Sequence, residues 1–254
     1  MRKIIVLMSF ITLLLTSCSS DDALIVEAPI TPSNNIKPIQ FKHYDYNSPI
    51  SYVIGDFNYS GDKLDKVIYN NDKEDRYTYN NDLITRIDYY QSGILKKYRT
   101  FFYNTENKLS EYKVYNVSGG TSNLSLSESF THNIDGTITS ISINNIETEY
   151  YKYYLNSNGN VFKLETYGDS SYSTIQYTEL MTYDNKYTPF KNILGFNKIV
   201  MMFVESGGIE NNLLSHDLSH TIYELDYNNE NYPVKITEKN TTSNTYSDVF
   251  EYYY

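Results

Sequence analysis

The chain has 254 residues, with 29 Tyr, 28 Asn, no Trp, one Cys and a formal charge of −10. A single Cys excludes an intramolecular disulfide framework, a CxxC redox pair and a Cys-rich zinc site. The acidic balance leaves no basic surplus to neutralise nucleic-acid phosphates, and so many aromatics are foreign to disordered segments. Composition thus leaves a tyrosine-rich β protein, and it is silent on activity.

Met1-Arg2-Lys3 forms a short basic region, and Ile4 to Leu15 an apolar one interrupted only by Ser9 and Thr12. About 12 apolar positions are too few to span a bilayer of roughly 30 Å as a helix, so residues 1–17 read as a secretory signal. Leu15-Thr16-Ser17-Cys18 resembles the bacterial lipobox. That resemblance implies cleavage before Cys18 and a lipid on its thiol; an ordinary signal peptide with a chance Cys is the alternative. Acyl chains contribute roughly 0.8 kcal/mol per buried CH₂, so two or three hold a domain stably at a membrane. Ser19-Ser20-Asp21-Asp22 resembles the acidic export signal of Bacteroidota surface lipoproteins, which implies surface exposure, with the periplasmic face as alternative. Cleavage leaves 19 basic residues against 31 acidic ones, a surface repelled by anionic polymers. Residues 18–40 carry Pro29, Pro32 and Pro38 and no clear period, and so read as a tether. Ala23 to Val26 is alternatively a short edge strand.

From residue 41 to 254 one pattern recurs. Two aromatics at spacing two precede a polar turn, and apolar residues about three apart follow it. Copies run from Phe57 and Tyr59 to Leu64 and Val67, from Tyr77 and Tyr79 to Leu83 and Ile87, and from Phe101 and Tyr103 to Leu109 and Tyr112. Others run from Phe130 and His132 to Ile138 and Ile141, from Tyr151 and Tyr153 to Val161 and Leu164, and from Leu225 and Tyr227 to Val234 and Ile236. Residues at i and i+2 share one face of a strand, and Asn and Gly tolerate the positive φ of tight turns. Each copy is therefore a β-hairpin, too small to be stable alone, that pairs laterally with its neighbours. Thr, Ser, Lys and Glu at intervening positions predict one wet face.

This pattern is similar to the tyrosine-dipeptide repeats of Rhs-type shells. The whole layout resembles a family of Bacteroidota lipoproteins of unknown function with a porin-like β-fold. The likeness rests on Tyr183-Asp-Asn-Lys-Tyr-Thr-Pro-Phe190, Asn212-Leu-Leu-Ser215 and Tyr227-Asn-Asn-Glu-Asn-Tyr-Pro-Val-Lys-Ile236. It implies fold and compartment and supplies no catalytic residue.

Residues 188–220 break the rhythm. Thr188 can cap a helix that starts at Pro189, with Phe190, Ile193, Leu194 and Asn197 at helical spacing. The run 199–204 is the most apolar of the mature chain. The expectation is a short helix or loop over one end of the sheet with the 199–204 run buried, a plug inside a barrel being the functional alternative to plain core. His216-Asp217-Leu218-Ser219-His220 places two histidines at i and i+4, a spacing that holds zinc on a helix. The general-base Glu of zinc peptidases is missing, so His216 and His220 remain weak metal candidates and read as solvated loop residues. Asn71 to Asp75 and Asp226 to Glu230 gather oxygen ligands without a calcium-loop frame, and read as turns. No phosphate-loop, dinucleotide-binding or nucleophile-elbow motif occurs, and a Ser/His/Asp triad has no positive support.

The tyrosines suit a half-buried strand face, where the ring packs and the hydroxyl reaches water; stacking on sugars is the functional alternative. The chain ends Val249-Phe-Glu-Tyr-Tyr-Tyr254, like the last strand of an outer-membrane barrel. A membrane barrel, however, needs an apolar outer face on each strand, and these strands alternate with Thr, Ser, Lys and Glu. The expected fold is all-β: one antiparallel up-and-down meander of about seven or eight hairpins, strongly curled or barrel-like, with an insertion near 188–220. The expected function is non-enzymatic, a lipid-anchored surface module that binds a glycan or envelope protein through an aromatic sheet face, with no cofactor. A structural envelope lipoprotein is the alternative, and a hydrolase a third reading.

Overall fold

A computed structural model describes residues 36–199 and 210–254. Cys18, the signal segment, nearly all of the tether and most of the 199–204 run lie outside the described residues. Sixteen strands are present among the described residues. They are β1 (Gln40–Asp45), β2 (Tyr52–Ser60), β3 (Lys63–Tyr69), β4 (Lys73–Asn80), β5 (Leu83–Gln91), β6 (Ile94–Tyr103), β7 (Leu109–Ser118) and β8 (Thr121–His132). After these come β9 (Ile138–Asn144), β10 (Thr148–Leu155), β11 (Val161–Tyr167), β12 (Ile175–Tyr187), β13 (Asn211–His216), β14 (Thr221–Tyr227), β15 (Pro233–Asn240) and β16 (Thr245–Tyr253). Each pairs antiparallel with its sequence neighbours, and β1 pairs with β16, so the sheet closes into a barrel.

The expectation of seven or eight hairpins understates this array: every strand is shared between two pairings, and closure removes both edges. The insertion is also shorter than expected. Asn211–His216 is a wall strand, and the one helix described there, α1 (Phe196–Ile199), is a single turn.

A recurrent bulge explains the apolar residues three apart. Asn58 faces Lys66 while Tyr59 faces Leu64, so Asp65 is the extra residue. Thr85, Ser110, Phe162 and Val234 are extra in the same way in β5, β7, β11 and β15. One inserted residue converts spacing two into spacing three on the same face, so both Leu64 and Val67 are buried inward. In the second copy the inward partner of Ile87 is Ile84 rather than Leu83. The hairpin into β9 lacks the bulge, so Ser140 and Ser142 join Ile138 in burial and Ile143 is exposed.

The Asn excess has a local cause. The Oδ1 atoms of Asn104, Asn156 and Asn228 each accept two backbone N–H bonds from residues two and four positions on. Asn107, Gly159 and Asn231 then take φ of 57°, 87° and 65°. A short amide side chain closes each turn, and an Asn or Gly supplies its left-handed residue.

The wall is sided. Inward positions hold the core: Ile84, Ile87, Phe101, Leu109, Phe130, Ile138, Tyr153, Val161, Met181 and Leu213. The alternating positions carry ion pairs, among them Lys42–Glu251, Arg76–Glu74, Arg86–Asp88, Lys113–Glu111 and Lys163–Glu165. Outer tyrosines lie under cations, with Arg86 3.9 Å from the Tyr98 ring and Lys163 3.7 Å from that of Tyr154. The wet face predicted by the alternation is thus the outer one.

Candidate functional site

One mouth of the barrel is capped by residues 188–199. Gly195 takes a φ of 75° and lies so close to the β4–β5 turn that a Cβ there would stand 2.6 Å from the Asp82 carbonyl oxygen. The expected helix from Pro189 does not form: the Lys191 amide bonds to the Thr188 carbonyl and the Ile193 amide to that of Phe190, as in successive turns. The Leu194 amide donates to the Asp62 carbonyl of the β2–β3 turn, and Asn192 Nδ2 donates to the Ile36 carbonyl and the Tyr232 hydroxyl. Apolar residues of this cap point into the barrel. Ile193 packs with Leu64 and Val67, Ile199 is 0% exposed in the main core, and Phe190 meets Phe57, Phe196 and Tyr252. The described part of this segment thus lies as a loop over one end of the barrel, while the 199–204 run, for which a plug is the functional alternative, lies almost wholly outside the described residues.

Beneath the plug lies a cavity of about 530 Å³ bounded by β1–β6 and β13–β16. Its lining is graded along the axis. Phe57 and Tyr252 meet Phe190 of the plug, while Asp75, the cross-strand partner of Val67, and Glu238, the cross-strand partner of Tyr223, lie farther along their strands from the plugged turns, with Arg99 on β6. Asp75 accepts the Tyr69 hydroxyl at 2.7 Å; burial raises its carboxyl, and Arg99 partly offsets this. Burial also raises Glu238, and the neighbouring charge of Asp248 adds to the effect. Apolar enclosure with a few convergent polar groups is the usual make-up of a small-molecule site.

The other half of the lumen is filled. Glu128 is buried between β7 and β9 and accepts Ser140 Oγ at 2.5 Å and the Tyr153 hydroxyl at 3.0 Å. Burial raises its carboxyl against these hydrogen bonds. A satisfied buried group of this kind specifies packing and leaves no valence for a ligand.

The histidines separate. His220 is an exposed turn residue with φ of 53°. His216 is 7% exposed, which corrects its reading as a solvated loop residue: it ends β13 and faces inward. Its Nδ1 lies 2.7 Å from Ser219 Oγ and its Nε2 2.7 Å from Glu179 Oε2. Sequence reasoning missed Glu179, 37 positions away on the neighbouring strand. A Ser–His–carboxylate order is that of a hydrolytic triad, but catalysis also needs a cavity and oxyanion donors at the serine. The lumen cavity is lined elsewhere, and Ser219 sits in the tight turn that follows His216, 2.9 Å from Thr221 Oγ1. The trio locks the β13–β14 turn. Among the described residues no three His, Cys, Asp or Glu side chains are grouped to hold a metal.

No protein-family model and no curated protein sequence matches the chain. Among solved structures, a porin-like protein from Bacteroides vulgatus is 14% identical with a TM-score of 0.52, covering 87% of this chain and 99% of that one. A porin-like protein from Bacteroides uniformis is 9% identical with a TM-score of 0.38, covering 85% and 97%. The first likeness shows a shared porin-like barrel fold, the fold expected from the sequence.

Proposed function

We propose that this chain is a non-enzymatic binding barrel of the bacterial envelope, tethered by lipid on Cys18, with its ligand site in the lumen. The cavity beneath the plug carries the reading. An aromatic wall enclosing about 530 Å³ removes a small ligand from water, which a ring on the outer face does not. On this reading the aromatic sheet face expected from the sequence is the inner one. The ion pairs around the wall support a water-facing barrel held by its anchor, since charge on a lipid-facing wall is costly. Outer-membrane attachment and surface exposure belong to the same proposal, and the likeness to a porin-like fold from Bacteroides is consistent with both.

The test is fluorescence of N-phenyl-1-naphthylamine with the Cys18→Ser chain. Saturable enhancement that is lost when Val67→Trp fills the cavity is expected; no enhancement returns the chain to a purely structural role. Incorporation of labelled palmitate that disappears with Cys18→Ser checks the tether.

A further inference from the structure

We infer that the lumen takes an amphiphile with a quaternary ammonium head, its apolar body against the plug and its head between Glu238 and the aromatic rings beside it. The inference rests on the reading of the lumen as a ligand site and adds the ligand's chemistry.

The axial grading sets the orientation. A ligand whose polar end met Phe57, Phe190 and Phe196 would lose its hydration without a partner, which is costly; reversed, the same molecule buries its apolar part there and meets Asp75, Arg99 and Glu238 with its head. The sign of the head follows from which charges are already answered. Arg99 acts on Asp75 within the cavity, holding its carboxyl lower than burial alone would, and is hydrogen-bonded with Tyr89. Glu238 has no such lysine or arginine: its electrostatic neighbour is Asp248 and its hydrogen-bond donor is Ser247, while Asp248 pairs at 2.6 Å with His43, which faces the same side of the wall and stacks on Phe250 at 4.4 Å. The charges of the neighbouring Lys235 and Lys239 stand on the outer face, one position to either side of the inward row of Ile236 and Glu238. An inward carboxylate whose neighbours are a serine hydroxyl and a histidine-paired carboxylate, with no lysine or arginine acting on it, favours a cation.

The surroundings choose the kind of cation. Tyr223 is the cross-strand partner of Glu238, and Phe250 is that of Ile236, one inward position along the same strand. Both rings line the cavity, as do Tyr69 and Phe41. Ring faces attract cations by their quadrupole, and an aromatic cage with a carboxylate recognises methylated ammonium groups. Such a head donates no hydrogen bond, so the charge of the carboxylate and the ring faces suffice to hold it.

The experiment is displacement of N-phenyl-1-naphthylamine from the Cys18→Ser chain by dodecyltrimethylammonium and by dodecanoate, both below their micelle concentrations. The cation is expected to displace the probe at a concentration about tenfold or more below that of the anion. Glu238→Gln should abolish that preference while leaving probe binding intact. Glu224→Gln, an outer-face change on the adjacent strand, should retain it, which separates a local seat from the general acidity of the protein. Thermal melting of each variant checks that it is folded, and Glu238→Lys, which should prefer dodecanoate, reads the seat in the opposite sense. Equal or tighter displacement by dodecanoate, or a preference that survives Glu238→Gln, overturns the inference. Probe binding that neither amphiphile displaces overturns it too, yet leaves the lumen as a ligand site; failure of the probe itself to bind overturns the ligand-site reading.

Discussion

Glu128 and Glu165 stand on opposite faces of the same wall and gather nearly the same company. Glu128, inside, accepts Ser140, Tyr153 and Tyr112. Glu165, outside, accepts the Tyr154 and Tyr167 hydroxyls at 2.6 and 2.5 Å and Lys163 Nζ at 2.9 Å. Burial works to raise both carboxyls. Inside, it wins; outside, the hydrogen bonds and the charge of Lys163 carry Glu165 down to about 2. Neutral donors satisfy a buried carboxylate geometrically without offsetting the loss of water, whereas one cation at the rim of solvent does so. Each residue is only 6% exposed, so what separates the two carboxylates is the cation beside Glu165 rather than contact with water.

Substitutions can break this comparison. The largest expected effect is at adjacent positions of β6. Phe101 is 3% exposed and Phe102 45%, so Phe101→Ala should cost about 3–5 kcal/mol and Phe102→Ala less than about 1 kcal/mol. Urea denaturation of both variants reads the difference, and equal losses would mean that the outer face is buried as well.

Next come the two carboxylates, whose pH dependence should run in opposite directions. A lowered folded value means that Glu165 contributes stability above the ordinary carboxylate range and loses it as pH falls toward about 2. A raised value means that the Glu128 contribution is full below that range and is lost as pH rises through the folded value. The melting temperature of the wild-type chain relative to Glu165→Gln should drop with acidification, and relative to Glu128→Gln should drop with alkalinisation. Parallel slopes would remove the distinction between the faces.

The smallest effect is at the outer ion pairs. Arg76→Ala, which breaks a pair with Glu74, should cost below about 1 kcal/mol and less still at high salt. A larger, salt-insensitive loss would place that pair in a less aqueous setting than an exposed wall.

Much of the wall was legible because its local rules repeat. The pairs Tyr77/Tyr79 and Tyr151/Tyr153 mark inward rows, and the Asn-led turns mark where strands reverse. Spacing three in Leu64/Val67 and Val161/Leu164 already carried the bulge, although only pairing reveals which residue is extra. Other features depend on partners distant in sequence. Closure joins β1 to β16, and no local pattern states that two ends will meet. Asn211–His216 passed for part of an insertion because its polar start lacks the aromatic pair. Tyrosine occupies both faces, Tyr89 inside and Tyr90 outside, so abundance could not say which rings line a cavity. The cavity's acids were the least legible of all: Asp75 read as part of an oxygen-rich turn, and Glu238 carried no motif. They belong together only because a circular wall brings β4 and β15 around one lumen.

Closure through β1 and β16 also has a consequence for how the chain reaches this state. The backbone bond from the Ile39 amide to the Tyr253 carbonyl, 2.7 Å long, joins residues more than two hundred positions apart. Every other strand pairing in the wall joins sequence neighbours, the longest connection being residues 188–210 between β12 and β13, but this one waits for β16. Such a contact carries the largest loop-closure cost in the molecule and forms late. Until it does, the nascent sheet exposes two unpaired edges and the inner row of Phe and Tyr, a combination that invites association with other chains. Strand β16 thus acts as a latch, and a chain truncated before Thr245 should accumulate as aggregates rather than as a smaller barrel.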